Sequence, residues 1–258
     1  MSNVKAIVTG ASSGMGRDMA IYLGKLGYDL VLVSRDINRL KETASKIDTN
    51  VEIYTADLSN KENCFKLHDK YKDEEIDLLV NGAGFGLFGN TWETDVNKEM
   101  EMINLNIVAL HLLTKLFLQD MMKRDKGRIL NIASAAGFLA GPGLNTYYAT
   151  KNYVVKWTLA IYEELRAAKS NVKISCLCPG PVATNFNKVA GGSFTVKPMK
   201  SEDVAKIGID ACLKDKIVCI PGFVTKLGLM FNRMIPGWLS LRITHIIQKS
   251  KRAGKKDA

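Results

Sequence analysis

Three side chains in one stretch have the types and spacing for shared chemistry. Ser134 is followed thirteen residues later by Tyr147 and four residues after that by Lys151. Four residues is just over one turn of α-helix, so the phenol and the ammonium share a helix face. The run Gly127-Arg128-Ile129-Leu130-Asn131-Ile132-Ala133 reads as a short buried strand. Ser134 then stands at the strand's carboxyl end, where open α/β sheets bind ligands. A hydroxyl, a phenol and an ammonium can therefore meet at one place.

The preceding elements look built to bring a nucleotide to that point. Val4 to Thr9 is an apolar, β-leaning run that enters Gly10-Ala11-Ser12-Ser13-Gly14-Met15-Gly16. A helix follows, with Met19, Ala20 and Leu23 along one face. Glycines let the turn approach a ligand closely, and the helix start offers free N–H groups to a phosphate. The spacing is G-x-x-x-G-x-G rather than G-x-G-x-x-G. The next strand, 29–33, ends at Ser34-Arg35. In an NAD-binding fold an acid about 20 positions beyond the glycines takes the ribose hydroxyls. Ser34 and Arg35 stand there instead, and a guanidinium suits a 2′-phosphate. NADP is therefore expected over NAD.

Further along come a helix over 37–48 and a strand over 51–55. Asp57 is then placed to meet an adenine edge or to cap a helix over 60–73, a task open also to Ser59. The fourth strand, 77–80, ends at Asn81-Gly82-Ala83-Gly84, a glycine pair suggesting backbone close to a ligand. Glu93 to Met122 holds a long helix, apolar nearly all round and so buried, with the polar Asn106 inside it. A sixth strand over 172–178 stops at Pro179-Gly180-Pro181, and an irregular stretch over 183–200 reads as a substrate loop. Ser201 opens a helix, and 217–220 is a seventh strand. This alternation predicts an α/β fold, a single-domain, Rossmann-type doubly wound, mainly parallel seven-stranded sheet with helices on both faces. It spans residues 1–222, and residues 223–258 form a helical extension.

The chain has 258 residues, 47% of them apolar, which is enough for one sizeable core. The formal charge of +10 is spread along helices rather than patterned for nucleic acid, and favours an anionic ligand. Five scattered cysteines match no zinc pattern, so no metal is expected and buried cytoplasmic thiols are. Cys176 and Cys178 should face the same side of their strand. No signal-peptide layout opens the sequence, and no apolar run reaches the length of a bilayer span.

With these residues in hand, the chain resembles the short-chain dehydrogenase/reductase family over about residues 4 to 222. The resemblance rests on Thr9-Gly10-x-x-x-Gly14-x-Gly16, Asp57, Asn81-x-Ala83-Gly84, Asn106, Ser134, Tyr147-x-x-x-Lys151 and Pro179-Gly180. Gly82 departs from the pattern, where the family usually has a second asparagine. The residues after Pro221 look like the DltE-type, ketoacyl-reductase-like branch. The resemblance implies NADP(H)-dependent reduction of a carbonyl to an alcohol, with Tyr147 as proton donor. Lys151 and the positive charge of oxidised nicotinamide would together lower the phenol's pKa. Lys151 would also bind the nicotinamide ribose, Ser134 would hold the substrate oxygen, and Asn106 would hold a water linking Lys151 to solvent. Tyr148 is a decoy, its interval to Ser134 one residue too long. The implied cofactor contacts are Gly10, Ser12, Ser13, Gly14, Met15, Gly16, Ser34, Arg35, Asp57, Leu58, Asn81, Ala83, Gly84, Tyr147, Lys151, Pro179, Gly180, Val182 and Thr184. A homodimer or homotetramer through the long helices is expected. The rivals are a non-catalytic NADPH-binding sensor and an epimerase or dehydratase on the same fold. An apolar pocket is expected from Leu87, Phe88, Leu139, Tyr148, Phe186, Val189 and Phe194.

Beyond residue 222, Leu227, Met230, Phe231, Met234 and Ile235 follow helical spacing, as do Leu239, Ile243, Ile246 and Ile247. Pro236-Gly237 separates the two sets, and Lys249, Lys251, Arg252, Lys255 and Lys256 make a basic end. A helical pair packed on the subunit or its partner is expected, in preference to a surface-membrane anchor.

Overall fold

A computed structural model describes residues 4–184, 186, 190–191 and 197–253. Its centre is a parallel sheet of seven strands in the order β3-β2-β1-β4-β5-β6-β9. These are β1 (Lys5–Thr9), β2 (Asp29–Ser34), β3 (Val51–Thr55), β4 (Leu78–Asn81), β5 (Arg128–Ile132), β6 (Lys173–Leu177) and β9 (Val218–Cys219). The inner strands are largely apolar because both faces are covered, whereas β3 at the edge carries the exposed Glu52 and Thr55. Ala6 and Val8 face one layer while Ile7, between them, faces the other.

Helices α1 (Gly14–Lys25) and α7 (Ser201–Leu213) cover the first face, where Met19, Leu23, Val204 and Ile209 are fully buried. Helices α3 (Lys61–Tyr71), α5 (Leu110–Lys123) and α6 (Asn145–Ala167) supply Leu67, Phe117 and Ile161 to the second. Each fully buried side chain of this size stabilises the fold by roughly 1.5–3 kcal/mol. A polar chain runs through the second layer: Asn81 Nδ2 donates to Thr114 Oγ1 and Asn131 Oδ1, both at 2.9 Å. Asn131 Nδ2 donates in turn to Thr158 Oγ1 at 3.0 Å, so β4 and β5 are tied to α5 and α6.

Several boundaries differ from expectation. Helix α2 (Ile37–Ala44) stops four residues early. Helix α3 is capped by Asn60, which accepts from the Glu62 N–H at 3.0 Å. Asp57 and Ser59 bond each other instead, at 2.7 Å. The long helix is α4 (Val96–Ile103) joined to α5 by a π-helical turn, Asn104–Ala109. Such a turn shifts the helical register, but the segment is apolar nearly all round, so periodicity does not reveal it. The continuous helix 96–123 is long and apolar enough to cross a bilayer, contrary to expectation, but its Met102, Leu113, Phe117 and Met121 are buried against the protein. The ends of the 183–200 stretch are paired, with β7 (Val182–Ala183) parallel to β8 (Met199–Lys200). Its Val189, Gly192 and Phe194 lie outside the described residues.

Helices α8 (Phe223–Asn232) and α9 (Gly237–Ala253) form as expected, but their apolar sides do not pack on the subunit. Leu227, Met230, Phe231 and Met234 are exposed, as are Ile243, Ile246 and Ile247. Ile235 and Leu239 are half-buried. The side chains of Lys251 and Arg252, together with Lys255 and Lys256, lie outside the described residues.

Candidate active site

The strand order reverses between β1 and β4, because the chain first winds outward to β3 and then returns. Ligands bind in the crevice at such a switch point. The two strand ends there are tied by Thr9. Its Oγ1 accepts from the Gly82 N–H at 3.0 Å and the Ala83 N–H at 3.2 Å. Gly10 turns with φ 73°, and a Cβ on it would stand 2.9 Å from the Gly82 carbonyl. A Cβ on Gly16 would stand 2.3 Å from the Gly10 oxygen, so the start of α1 lies directly on the turn. Gly14, at φ 53°, faces Thr184, whose Cγ2 would be 3.1 Å from an added Cβ. This side-chain-free cradle at a helix N-terminus fits the phosphates of a dinucleotide. Ser12, Ser13 and Met15 belong to this turn, whereas Val182 and Leu58 are buried in the cores on opposite faces of the sheet. The Asn81 amide nitrogen is engaged in the core network, while its buried Oδ1 has no hydrogen-bond partner among the described residues.

Arg35 is exposed at the end of β2, beside Ser34, whose Oγ accepts from the Asp36 N–H at 3.2 Å. Its guanidinium is already engaged, 3.0 Å from Glu101 and 3.7 Å from Asp57. Burial would raise the Asp57 carboxyl, but hydrogen bonds from Ser59 and the Arg35 charge outweigh it and hold it below the usual range. Lys98 first, and Arg35 with it, do the same for Glu101. Glu101 lies 66 residues from Arg35 in sequence and carries no local signal of the contact.

The catalytic candidates converge at the ends of β4, β5 and β6. Ser134 follows β5 and caps the 3-10 turn Ala135–Phe138, its Oγ accepting from the Ala136 N–H at 3.1 Å. Pro179 sits beside it, its carbonyl accepting from the Ala135 N–H at 2.8 Å. Tyr147 and Lys151 occupy the first turns of α6, with the Lys151 ammonium 5.8 Å from the centre of the Tyr147 ring. Lys151 is buried and donates to the Ile132 carbonyl at 2.8 Å. Burial lowers its pKa to about 8.

Burial pushes the Tyr147 pKa up, only partly offset by a hydrogen bond with Ser134, while neighbouring Tyr148 pushes it further up. Lys151 sits over the ring rather than at the hydroxyl, which is too remote to overcome desolvation. A phenol kept neutral is in its proton-donating form.

Asn106 is fully buried in the π-helical turn. Its Nδ2 donates to the Phe85 carbonyl at 2.9 Å and to Thr150 Oγ1 at 3.1 Å, and its Oδ1 accepts from the Phe85 N–H at 3.1 Å. Its amide thus clamps the turn after β4 onto α6, and only one lone pair of Oδ1 is left to hold anything beside Lys151. Gly84 makes that approach possible, since a Cβ on it would be 2.8 Å from Asn106 Oδ1 and 3.6 Å from Lys151 Nζ.

Apolar side chains close the other side. Phe88, Leu139, Leu144 and Tyr148 pack around Tyr147, and the Phe186 ring centre is 5.1 Å from that of Tyr147. Leu87 stays outside this cluster. Tyr148 is buried against Gly141, and its hydroxyl accepts a hydrogen bond from Gln248 of α9. Gln248 was not foreseen, because it reaches the site across 100 residues of chain. Over Gly180 lies Thr225 of α8.

The comparisons with known proteins agree with this layout. The family model for short chain dehydrogenase matches residues 4–191. An uncharacterized oxidoreductase of Staphylococcus saprophyticus is 37% identical over 212 residues, covering 80% of this chain and 89% of that protein. Human estradiol 17-beta-dehydrogenase 11 is 31% identical over 236 residues, covering 89% of this chain and 78% of its own. Among solved structures, a short-chain dehydrogenase from Sphingobium yanoikuyae in complex with NADPH superposes with a TM-score of 0.81 at 26% identity, covering 90% and 93% of the two chains. One from Burkholderia phymatum in complex with NAD gives 0.82 at 25%, covering 90% and 94%. The glycine cradle, the Ser134–Tyr147–Lys151 convergence and these matches make the chain an oxidoreductase that binds a nicotinamide cofactor and belongs to the short-chain dehydrogenase/reductase family.

Proposed function

We propose that this chain is an NADPH-dependent carbonyl reductase acting on an apolar ketone or aldehyde. The observation that carries the reading is geometric: the Lys151 ammonium lies 5.8 Å from the Tyr147 ring centre, beside the Gly84 turn and the strand end that Ser134 follows. The bound dinucleotide supplies the hydride. Ser134 and Tyr147 hold the substrate oxygen between them, and Tyr147 gives it a proton as negative charge develops there. Lys151 stabilises the phenolate that remains and anchors the nicotinamide ribose. Asn106 holds the Gly84–Phe85 turn open beside Lys151. Arg35 takes the 2′-phosphate, exchanging Glu101 for it.

Phe88, Leu139 and Phe186 favour an apolar substrate, and the relatives include proteins named estradiol 17-beta-dehydrogenase 11 and very-long-chain 3-oxoacyl-CoA reductase. The five cysteines are unpaired and buried, which supports a reducing, cytoplasmic setting. A groove along α5 and α6, lined by His111, Lys115, Met122 and Trp157, supports a homo-oligomer through these helices.

The test follows cofactor absorbance with a panel of ketones, aldehydes and 3-oxoacyl thioesters, run with NADPH and NADH. Oxidation of NADPH by at least one apolar carbonyl is expected. Tight NADPH binding without turnover would leave a sensor, and conversion without net cofactor oxidation an epimerase or dehydratase.

A further inference from the structure

The last two helices reverse the usual rule of burial. Leu229, Ile235 and Leu239 are half-buried, but the contacts with the body run through small and polar side chains: Thr225 over Gly180, and Thr244 and Gln248, which are only 6% and 3% exposed. Ser240 Oγ donates to Asn232 Oδ1 at 2.6 Å and fixes α9 to α8 across Pro236. The large apolar side chains face outward instead. Phe223, Val224 and Met234 are 79%, 75% and 79% exposed, and Phe231, Trp238 and Ile246 are 61%, 60% and 69% exposed. Of twenty large apolar side chains exposed among the described residues, eleven lie between 223 and 247. Single exposed apolar residues are ordinary, but such a concentration marks a contact surface.

The charge on the same segment selects the contact. Residues 223–258 hold eight Lys or Arg and a single acid, Asp257. Lys226, Arg233, Arg242 and Lys249 are exposed on the two helices, and the Arg242 guanidinium lies 5.4 Å from the Trp238 ring centre. A second copy docked on this face would bring two cationic surfaces together. A surface that takes the apolar side chains and supplies the anions satisfies both features.

We propose that α8 and α9 form an interfacial patch that docks this protein peripherally on an anionic phospholipid bilayer. The apolar side chains enter the acyl boundary while the cations stay among the headgroups. The same helices touch Tyr148 and Gly180, so the docked face adjoins the candidate site.

The experiment is sedimentation of the full chain with vesicles of phosphatidylcholine alone or containing about a quarter phosphatidylserine. At least about tenfold enrichment on the anionic vesicles is expected, reversed by added salt. The double variant Phe231→Glu with Met234→Glu should lose about tenfold in binding at unchanged circular dichroism. Should that variant fail to fold, Arg233→Ser with Lys226→Ser gives the second measurement, a loss on anionic vesicles alone. Recovery equal with and without vesicles overturns the proposal. So does concentration-dependent self-association that Phe231→Glu abolishes and vesicles do not compete with, which would assign the face to a second copy.

Discussion

Lys151 donates its buried ammonium to the Ile132 carbonyl at 2.8 Å, which fixes the cation at the end of β5 and over the Tyr147 ring. One side chain thereby joins β5 to the proposed proton donor, and its charge state bears on both the proposed chemistry and the stability.

The pH profile follows from that charge. With the Lys151 pKa lowered to about 8 by burial, its ammonium is present below that pH and lost above it. The kcat/KM for carbonyl reduction, which reports the free enzyme, should fall as pH rises through about 8. In Lys151→Arg the descending limb should move beyond the working range, at a lower plateau rate. An unchanged limb in that variant would remove Lys151 from the assignment.

Stability should move in the opposite sense. Between about 8 and 10.5 the unfolded state holds the Lys151 proton and the folded state does not, so this residue makes the fold more stable as pH rises. The stability of the wild type minus that of Lys151→Met should therefore increase across this window, by about 3 kcal/mol at most. Urea unfolding at stepped pH measures it, with Cys176 and Cys178 replaced by Ala in both proteins, because their charges interact with that of Lys151.

The two adjacent tyrosines should separate cleanly. Tyr147→Phe should lower kcat by about a thousandfold or more while NADPH still binds by fluorescence titration. Tyr148→Phe removes only the bond from Gln248 and should stay within about tenfold of wild type. The reverse outcome would exchange their roles.

Cofactor choice should rest on the Arg35–Glu101 pair. Arg35→Asp should weaken NADPH by tenfold or more and leave NADH nearly unchanged. Glu101→Gln frees the guanidinium held at 3.0 Å and should tighten NADPH several-fold without affecting NADH. Equal effects on both cofactors in a calorimetric titration would place the phosphate elsewhere.

Gly84→Ala tests the clearance beside Lys151. The added methyl would sit 2.8 Å from Asn106 Oδ1, so the turn after β4 must shift. Turnover should fall at least tenfold, with about 1–3 kcal/mol lost in unfolding free energy.

What the sequence shows of this site is what local geometry carries. Tyr147 and Lys151 are one helical turn apart, and Gly10, Gly14 and Gly16 are needed by a single turn, so both groups are readable from spacing. The seven strands are readable because parallel strands buried on both faces are continuous apolar runs. The Asn104–Ala109 π-helical turn is not, since the helix around it is apolar on most sides and hides the change of register. Nor are the partners of Arg35 and Tyr148, which arrive from 66 and 100 residues away. The direction of the Tyr147 shift depends on how much protein surrounds the hydroxyl, which neighbouring charges in sequence do not reveal.

Gln248 gives this site a wall contributed by the helix most distant from it in the sequence. A chain trimmed after α7 would keep every group that handles the proton, yet its reaction chamber would open on one flank. Shortening here would change which molecules are admitted before it changed how fast they react.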